Sequence, residues 1–293
     1  MGSASFSCKA DRHAQSRWLL RCVAELFGSK RFDGLSLAAK SPAPPGCNNA
    51  RIADRSTPQR VLMQRTVLLT GASRGIGRSI ARRLLKDGHR LSLGLRDPQA
   101  LRGTDLDAET VLHHAYDAND PASVEAWVDS TVRRWSAIDT VIHCAGILHR
   151  TPLLFADGEE QQLDELWAIN VKGPWWLTRA AWPYLVTSGH GRIQVLVSMS
   201  GKRVKGRMAG YPVSKFALMG LCQSMRNEGW DKGIRVTAIC PSWVNTDMAR
   251  AVTAVEPAAM TQPEDLASLS SSLLSIPNAA VPFELAMNCS LET

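Results

Sequence analysis

Tyrosine is scarce in this 293-residue sequence: there are three, in a chain whose aromatic content is only 6%. Long apolar runs are missing too, since none approaches the roughly 18 to 20 residues needed to cross a bilayer; neither a transmembrane helix nor a membrane partner is expected. Seven cysteines lie scattered without a C-x-x-C pair, which argues against a disulfide framework and against a structural zinc site, and no metal is expected. This usage fits a reducing compartment, and the cytoplasm is the expected location.

Acids are scarce in one region. Residues 1–62 hold ten Lys or Arg against four Asp or Glu and thus carry +6 of the formal net charge of +7. Residues 63–293 are close to neutral, show no polyanion footprint, and give no reason to expect nucleic acid as a partner. The first 62 residues also contain the breaker run SPAPPGCNN and one helical apolar stripe at Trp18, Leu19, Cys22, Val23, Leu26 and Phe27. They read as a poorly ordered or non-native extension upstream of Met63, with an organelle transit peptide or a packed accessory element as alternatives. A transit peptide would move the protein to an organelle. Residues 63–293 are expected to form one catalytic domain.

From Met63 onward apolar runs of strand length alternate with helical stretches: TVLLT, a helix near 76–86, RLSLGL, a helix near 122–135, DTVIHCAG, a helix near 163–185, RIQVLVS, a helix over 211–230, IRVTAIC, a helix near 263–276 and FELAMNC. Strands that read as nearly continuous apolar runs between helices indicate a parallel sheet buried on both faces. The expected fold class is α/β, a doubly wound Rossmann-type sheet in a single domain, with its ligand at the carboxyl ends of the strands.

The segment LLTGASRGIG places Gly71, Gly75 and Gly77 between the first strand and the first helix. There the missing side chains let backbone approach a pyrophosphate seated on the helix N-terminus. Ser73, Arg74 and Ile76 share this loop. At the end of the second strand, Arg96 can pair with a 2′-phosphate, and Arg74 adds a cation on the same side, so NADP(H) is expected. A one-residue shift in that strand's end would bring Asp97 to the tip and favour NAD(H).

Of the three tyrosines, only Tyr211 has a lysine four residues on, in YPVSK, which puts Tyr211 and Lys215 on one helix face. An ammonium nearby favours a phenolate, and lowering a phenol by about three pKa units takes roughly 4 kcal/mol of differential stabilisation. Adjacent Lys215 and an oxidised nicotinamide are expected to supply it. Ser198, at the carboxyl end of RIQVLVS, offers a hydroxyl to an oxygen on which charge develops, or simply caps the strand.

In order and spacing, TGASRGIG, NVKG at 170–173, Ser198 and YPVSK resemble the short-chain dehydrogenase/reductase family, from about Met63 to the C-terminus. The resemblance implies that Tyr211 is the general acid/base, that Lys215 lowers its pKa and binds the nicotinamide ribose, that Ser198 orients the substrate carbonyl and that Asn170 holds a water in a proton relay. It further implies an adenine contact at Asp117 and nicotinamide contacts at Val244 and Thr246. Two departures stand out. The family's N-N-A-G is HCAG here, keeping Ala145 and Gly146 for close cofactor passage, and its P-G pair is Pro241-Ser242. His143 reads as a packed strand residue or as a stray base.

These features lead to an NADP(H)-dependent oxidoreductase interconverting a carbonyl compound and a secondary alcohol. A 3-oxoacyl-thioester reductase is the alternative, drawn from Lys202, Arg203, Lys205 and Arg207 beside the site, which otherwise form a solvated loop. An idle dinucleotide sensor is the alternative of another class. A short apolar lid with Met248, Val252, Val255 and Met260 suits a small or medium substrate. By family analogy a homodimer or homotetramer is expected through the helices near 122–135 and 163–185, where Trp127, Trp135, Trp167, Trp175 and Trp176 line an interface or fill the core.

Overall fold

The computed structural model describes residues 63–287, and the expectations for residues 1–62 lie outside them. Seven parallel strands form one sheet in the order β3-β2-β1-β4-β5-β6-β7. They are β1 (Thr66–Thr70), β2 (Arg90–Leu95), β3 (Val111–Ala115), β4 (Thr140–His143), β5 (Arg192–Leu196), β6 (Arg235–Pro241) and β7 (Glu284–Met287). The helices are α1 (Gly75–Lys86), α2 (Pro121–Trp135), α3 (Glu160–Trp167), α4 (Gly173–Ser188), α5 (Gly210–Gly229), the short α6 (Asp247–Arg250) and α7 (Pro263–Ser275).

Every residue of β1, β4 and β5 is buried, as a sheet covered on both faces requires, the polar Arg192 and Gln194 of β5 included. Alternation along β1 feeds two cores. Leu68 joins Val141, Leu177 and Leu218 under α2, α4 and α5, whereas Val67 and Leu69 join Ile80, Leu84 and Leu266 under α1 and α7. From β1 the chain proceeds outward to β3, then returns to place β4 on β1's other side, so the strand order reverses there. A crevice opens at the carboxyl ends at such a point.

Four local findings depart from the sequence pattern. The run VLHHA forms β3, absent from the alternation read above, because its two histidines interrupt the apolar signal on an edge strand only partly buried. The expected helix near 163–185 starts at Glu160 and is broken by one wider, π-helical turn at Ala168–Lys172, so α3 and α4 are separate elements. At the start of α7 the spacing of Thr261 and Glu264 indicates a capping box, but the box is formed by Gln262 and Asp265, one residue on. Of the tryptophans, Trp127 is fully buried and Trp176 packs on the core, while Trp167 and Trp175 are about half exposed on α3 and α4.

Candidate active site

A cleft of about 450 Å³ runs along the carboxyl ends of the strands. Its wall includes Gly71, Ser73, Arg74, Gly75, Ile76 and Gly77 from the turn between β1 and α1, and Arg96 and Asp117 beyond β2 and β3. Ala145 and Gly146 follow β4, and Val244 and Thr246 follow β6. Ser198, Tyr211 and Lys215 complete it. The structure thus brings every expected site residue to one cleft except Asn170, which stands behind the wall.

The close approach at the loop explains its first glycine. Gly71 has φ 77°, and a Cβ there would come within 2.7 Å of the Ala145 nitrogen. Thr70, unnoticed in the sequence, locks the same crossing: its Oγ1 accepts the N–H groups of Cys144 and Ala145, each at 3.1 Å. The substitution of HCAG for N-N-A-G therefore leaves the backbone passage intact.

At one end of the cleft, β2 stops at Leu95, and Arg96 and Arg74 are both exposed on the wall. Asp97 is diverted. Its Oδ1 accepts the Gln99 N–H at 2.9 Å, capping the turn Pro98–Leu101. The Asp117 carboxylate holds its own turn, accepting from the Asn119 backbone and side-chain nitrogens at 2.9 and 3.1 Å.

At the other end lie the proton-transfer groups. Ser198 has φ 144° and ψ 157°, a region almost reserved for glycine, and its Oγ accepts the Ser200 N–H at 3.0 Å. Lys215 is buried. Its Nζ donates to the Leu196 carbonyl at 3.0 Å and lies 5.7 Å from the centre of the Tyr211 ring. Burial lowers the ammonium to about 8. The phenol moves opposite to the sequence expectation: burial pushes Tyr211 up to about 12, against a smaller pull from the Ser198 hydroxyl that favours the phenolate. In this chain alone desolvation outweighs a lysine whose hydrogen bond goes to a backbone carbonyl.

Asn170 is fully buried in the π-helical turn. Its Nδ2 donates to the Ile147 carbonyl and to Ser214 Oγ, both at 3.0 Å, and its Oδ1 accepts the Ile147 N–H at 2.9 Å. Both side-chain N–H groups are thus spent within the protein, and the side chain anchors the loop after β4.

His143 is a packed strand residue: it is buried, its Nε2 lies 2.9 Å from Thr178 Oγ1, and burial lowers its pKa to about 3. His149, on the loop after β4, pairs with Glu165 at 2.9 Å. Of the four lid side chains, Met248 alone lines the cleft, whereas Met260 is buried beneath α7's start. The lid's place is shared by Met199 and Met208, on the connection between β5 and α5, and by Trp243, after β6, which no periodicity signals because they sit outside the α-helices and β-strands.

The profile of the family described as short chain dehydrogenase matches residues 65–257. The chain belongs to this family. Among relatives of this short-chain dehydrogenase, an agropine synthesis reductase of Rhizobium rhizogenes is 37% identical over 215 residues, 73% of this chain and 50% of that protein. The chain thus spans about half the length of the agropine synthesis reductases that it matches. The oxidoreductase UcpA of Escherichia coli strain K12 is 34% identical over 214 residues, 70% of this chain and 76% of the relative. An alcohol dehydrogenase from Thermococcus sibiricus, solved with 5-hydroxy-NADP, superposes with a TM-score of 0.71 at 27% identity, covering 78% of this chain and 98% of that one. A metagenomic short-chain oxidoreductase solved with NADP gives 0.65 at 27%, over 79% and 100% of the two chains. This short-chain dehydrogenase shares the Rossmann-type fold of these solved structures. No helix among the described residues is long and apolar enough to cross a membrane.

Proposed function

We propose that the protein binds NADP(H) and interconverts a small carbonyl compound and a secondary alcohol, with Tyr211 as general acid/base. The observation that carries this reading is the polarity of the cleft: Arg74 and Arg96 at one end, Ser198, Tyr211 and Lys215 at the other. The preference for NADP(H) over NAD(H) is supported by the cleft wall where β2 ends, which includes Arg74 and Arg96 but not Asp97, whose Oδ1 caps the following turn. A bound nicotinamide supplies the hydride donor or acceptor. Around it, Gly71, Gly75 and Gly77 admit the pyrophosphate to the start of α1, and Asp117, Val244 and Thr246 flank the two ends of the dinucleotide.

In the reductive direction the Ser198 hydroxyl donates to the substrate oxygen, and Tyr211 Oη passes its proton to that oxygen as negative charge develops. A phenol held up near 12 is protonated at neutral pH and ready for that donation. In the oxidative direction Tyr211 must accept the proton, and the positive charges of Lys215 and an oxidised nicotinamide oppose the desolvation that disfavours its phenolate. Lys215 holds its place through the Leu196 carbonyl. The walls formed by Met199, Met208, Trp243 and Met248 suit a compact, largely apolar substrate. Half-exposed Trp167 and Trp175 support self-association through α3 and α4.

The thioester reading draws less support than the loop sequence indicated. Lys202 is paired with Glu284, and Arg203 is also engaged, leaving Lys205 and Arg207 as the exposed cations that would attract an anionic carrier. The test is a fluorescence titration of the full chain with NADPH and NADH, followed by ketones, aldehydes, diketones and a 3-oxoacyl thioester. Carbonyl-dependent oxidation of NADPH is expected. Tight binding with no turnover across the panel would favour the sensor, and absence of binding would overturn the reading.

A further inference from the structure

The opposite end of the sheet holds a second cavity, of about 330 Å³, whose wall includes Arg65, His89, His190, Arg192 and Asn278. Both arginines are 3% exposed. Buried guanidinium groups are tolerated when a carboxylate neutralises them, because desolvation of an unpaired charge is costly. Asp139 is the carboxylate at this end, and its bonds go elsewhere than to Arg192: Oδ1 takes Arg65 Nη1 at 3.2 Å and the Thr140 hydroxyl at 2.8 Å, and Oδ2 takes the Thr66 N–H at 3.0 Å. Arg192 has no carboxylate partner among the described residues. Its Nη1 and Nη2 donate to the carbonyls of His190, Gly191 and Ile276 and to the Asn278 side chain, and its Nε has no partner.

The two cations also converge. Arg65 Nη1 and Arg192 Nη1 donate to the same His190 carbonyl, at 3.2 and 3.3 Å, so two guanidinium groups crowd one neutral acceptor. Burial lowers the Arg192 pKa, the charges of Arg65 and of Arg235, at the start of β6, lower it further, and the Asp139 carboxylate offsets only part of this. Donors remain on the cavity wall. Arg65 uses Nη1 for all its side-chain bonds among the described residues, which leaves Nε and Nη2. His89 Nδ1 accepts the Arg65 backbone N–H at 3.1 Å, which puts its proton on Nε2.

We propose that this cavity is a binding site for a small oxyanion, of the phosphate or short-carboxylate class, which neutralises the Arg65 and Arg192 pair. The site lies at the amino-terminal ends of β1 and β5, remote from the dinucleotide cleft at the carboxyl ends, so its occupancy stabilises the fold without entering the reaction.

The test uses the full chain carrying Arg74→Ala and Arg96→Ala, which removes the phosphate partners of the dinucleotide cleft and separates this proposal from the reading of that cleft. Melting temperature is followed against inorganic phosphate, and separately against acetate, with chloride matching ionic strength. Phosphate or acetate should raise it by roughly 3 °C or more as the site fills; which anion acts at lower concentration distinguishes the two sources. Adding Arg192→Met should abolish the rise while leaving the anion-free melting temperature equal or higher, since an unpaired buried charge is gone. If that variant fails to fold, His190→Ala, whose imidazole makes no hydrogen bond among the described residues, should weaken the anion several-fold. No anion-specific rise, or an equal rise in a folded Arg192→Met or His190→Ala variant, overturns the proposal.

Discussion

Asn170 and Ile147 are joined twice, Oδ1 accepting the Ile147 N–H at 2.9 Å and Nδ2 donating to its carbonyl at 3.0 Å. One amide side chain therefore imitates a strand neighbour for the loop that follows β4. That loop carries Ala145 and Gly146 into the cleft. Asn170→Ala should cost about 2 kcal/mol or more, since it strips both backbone partners from Ile147. Denaturant unfolding measures it, and a loss under about 0.5 kcal/mol would mean the loop is held by other contacts.

Tyr211→Phe should abolish turnover while leaving dinucleotide affinity within about two-fold, because the phenol moves the proton and the ring only lines the cleft. Stopped-flow turnover and equilibrium titration separate the two. An active Phe variant would remove Tyr211 from its acid/base role.

Replacing Arg74 and Arg96 together by Ala should weaken NADPH by about 100-fold and NADH by only a few-fold, as expected for charge-assisted pairs to a 2′-phosphate. Equal losses for the two cofactors would contradict the assigned preference.

Lys215 makes the stability of the cofactor-free chain depend on pH in a defined window. Burial lowers its pKa from 10.5 to about 8 in the folded protein, so between these values the unfolded chain binds more protons and stability rises with pH. Tyr211, raised from 10.0 to about 12, has the opposite sign, but only above pH 10. Between pH 8 and 10 the wild type should therefore gain stability relative to Lys215→Met. Parallel profiles would show that the ammonium is not desolvated.

Gly94→Ala tests the sheet beneath the cleft. A Cβ at Gly94 would come within 2.5 Å of the buried Trp127 ring, whose Nε1 donates to Ser92 Oγ at 2.8 Å. Overpacking of this kind costs about 1 to 3 kcal/mol. A neutral effect by thermal unfolding would mean that α2 shifts freely.

The alternation of apolar strands and helices, the glycine loop and the Tyr211–Lys215 spacing were legible in the chain because each depends on neighbours a few residues apart. Periodicity of 2 or 3.6 and a turn that needs glycine are local properties. Several decisions needed the folded protein. Whether Arg96 or Asp97 faces the cleft depended on where β2 ends and on a cap that Asp97 makes with Gln99. Trp127 went to the core and Trp175 to the surface through helix rotations that similar sequence surroundings do not distinguish. Asn170 became an anchor because a π-helical turn brings it to Ile147, 23 residues away. The sign of the Tyr211 shift was decided by burial, a property of everything packed around the phenol, whereas its spacing from Lys215 was written in five consecutive residues.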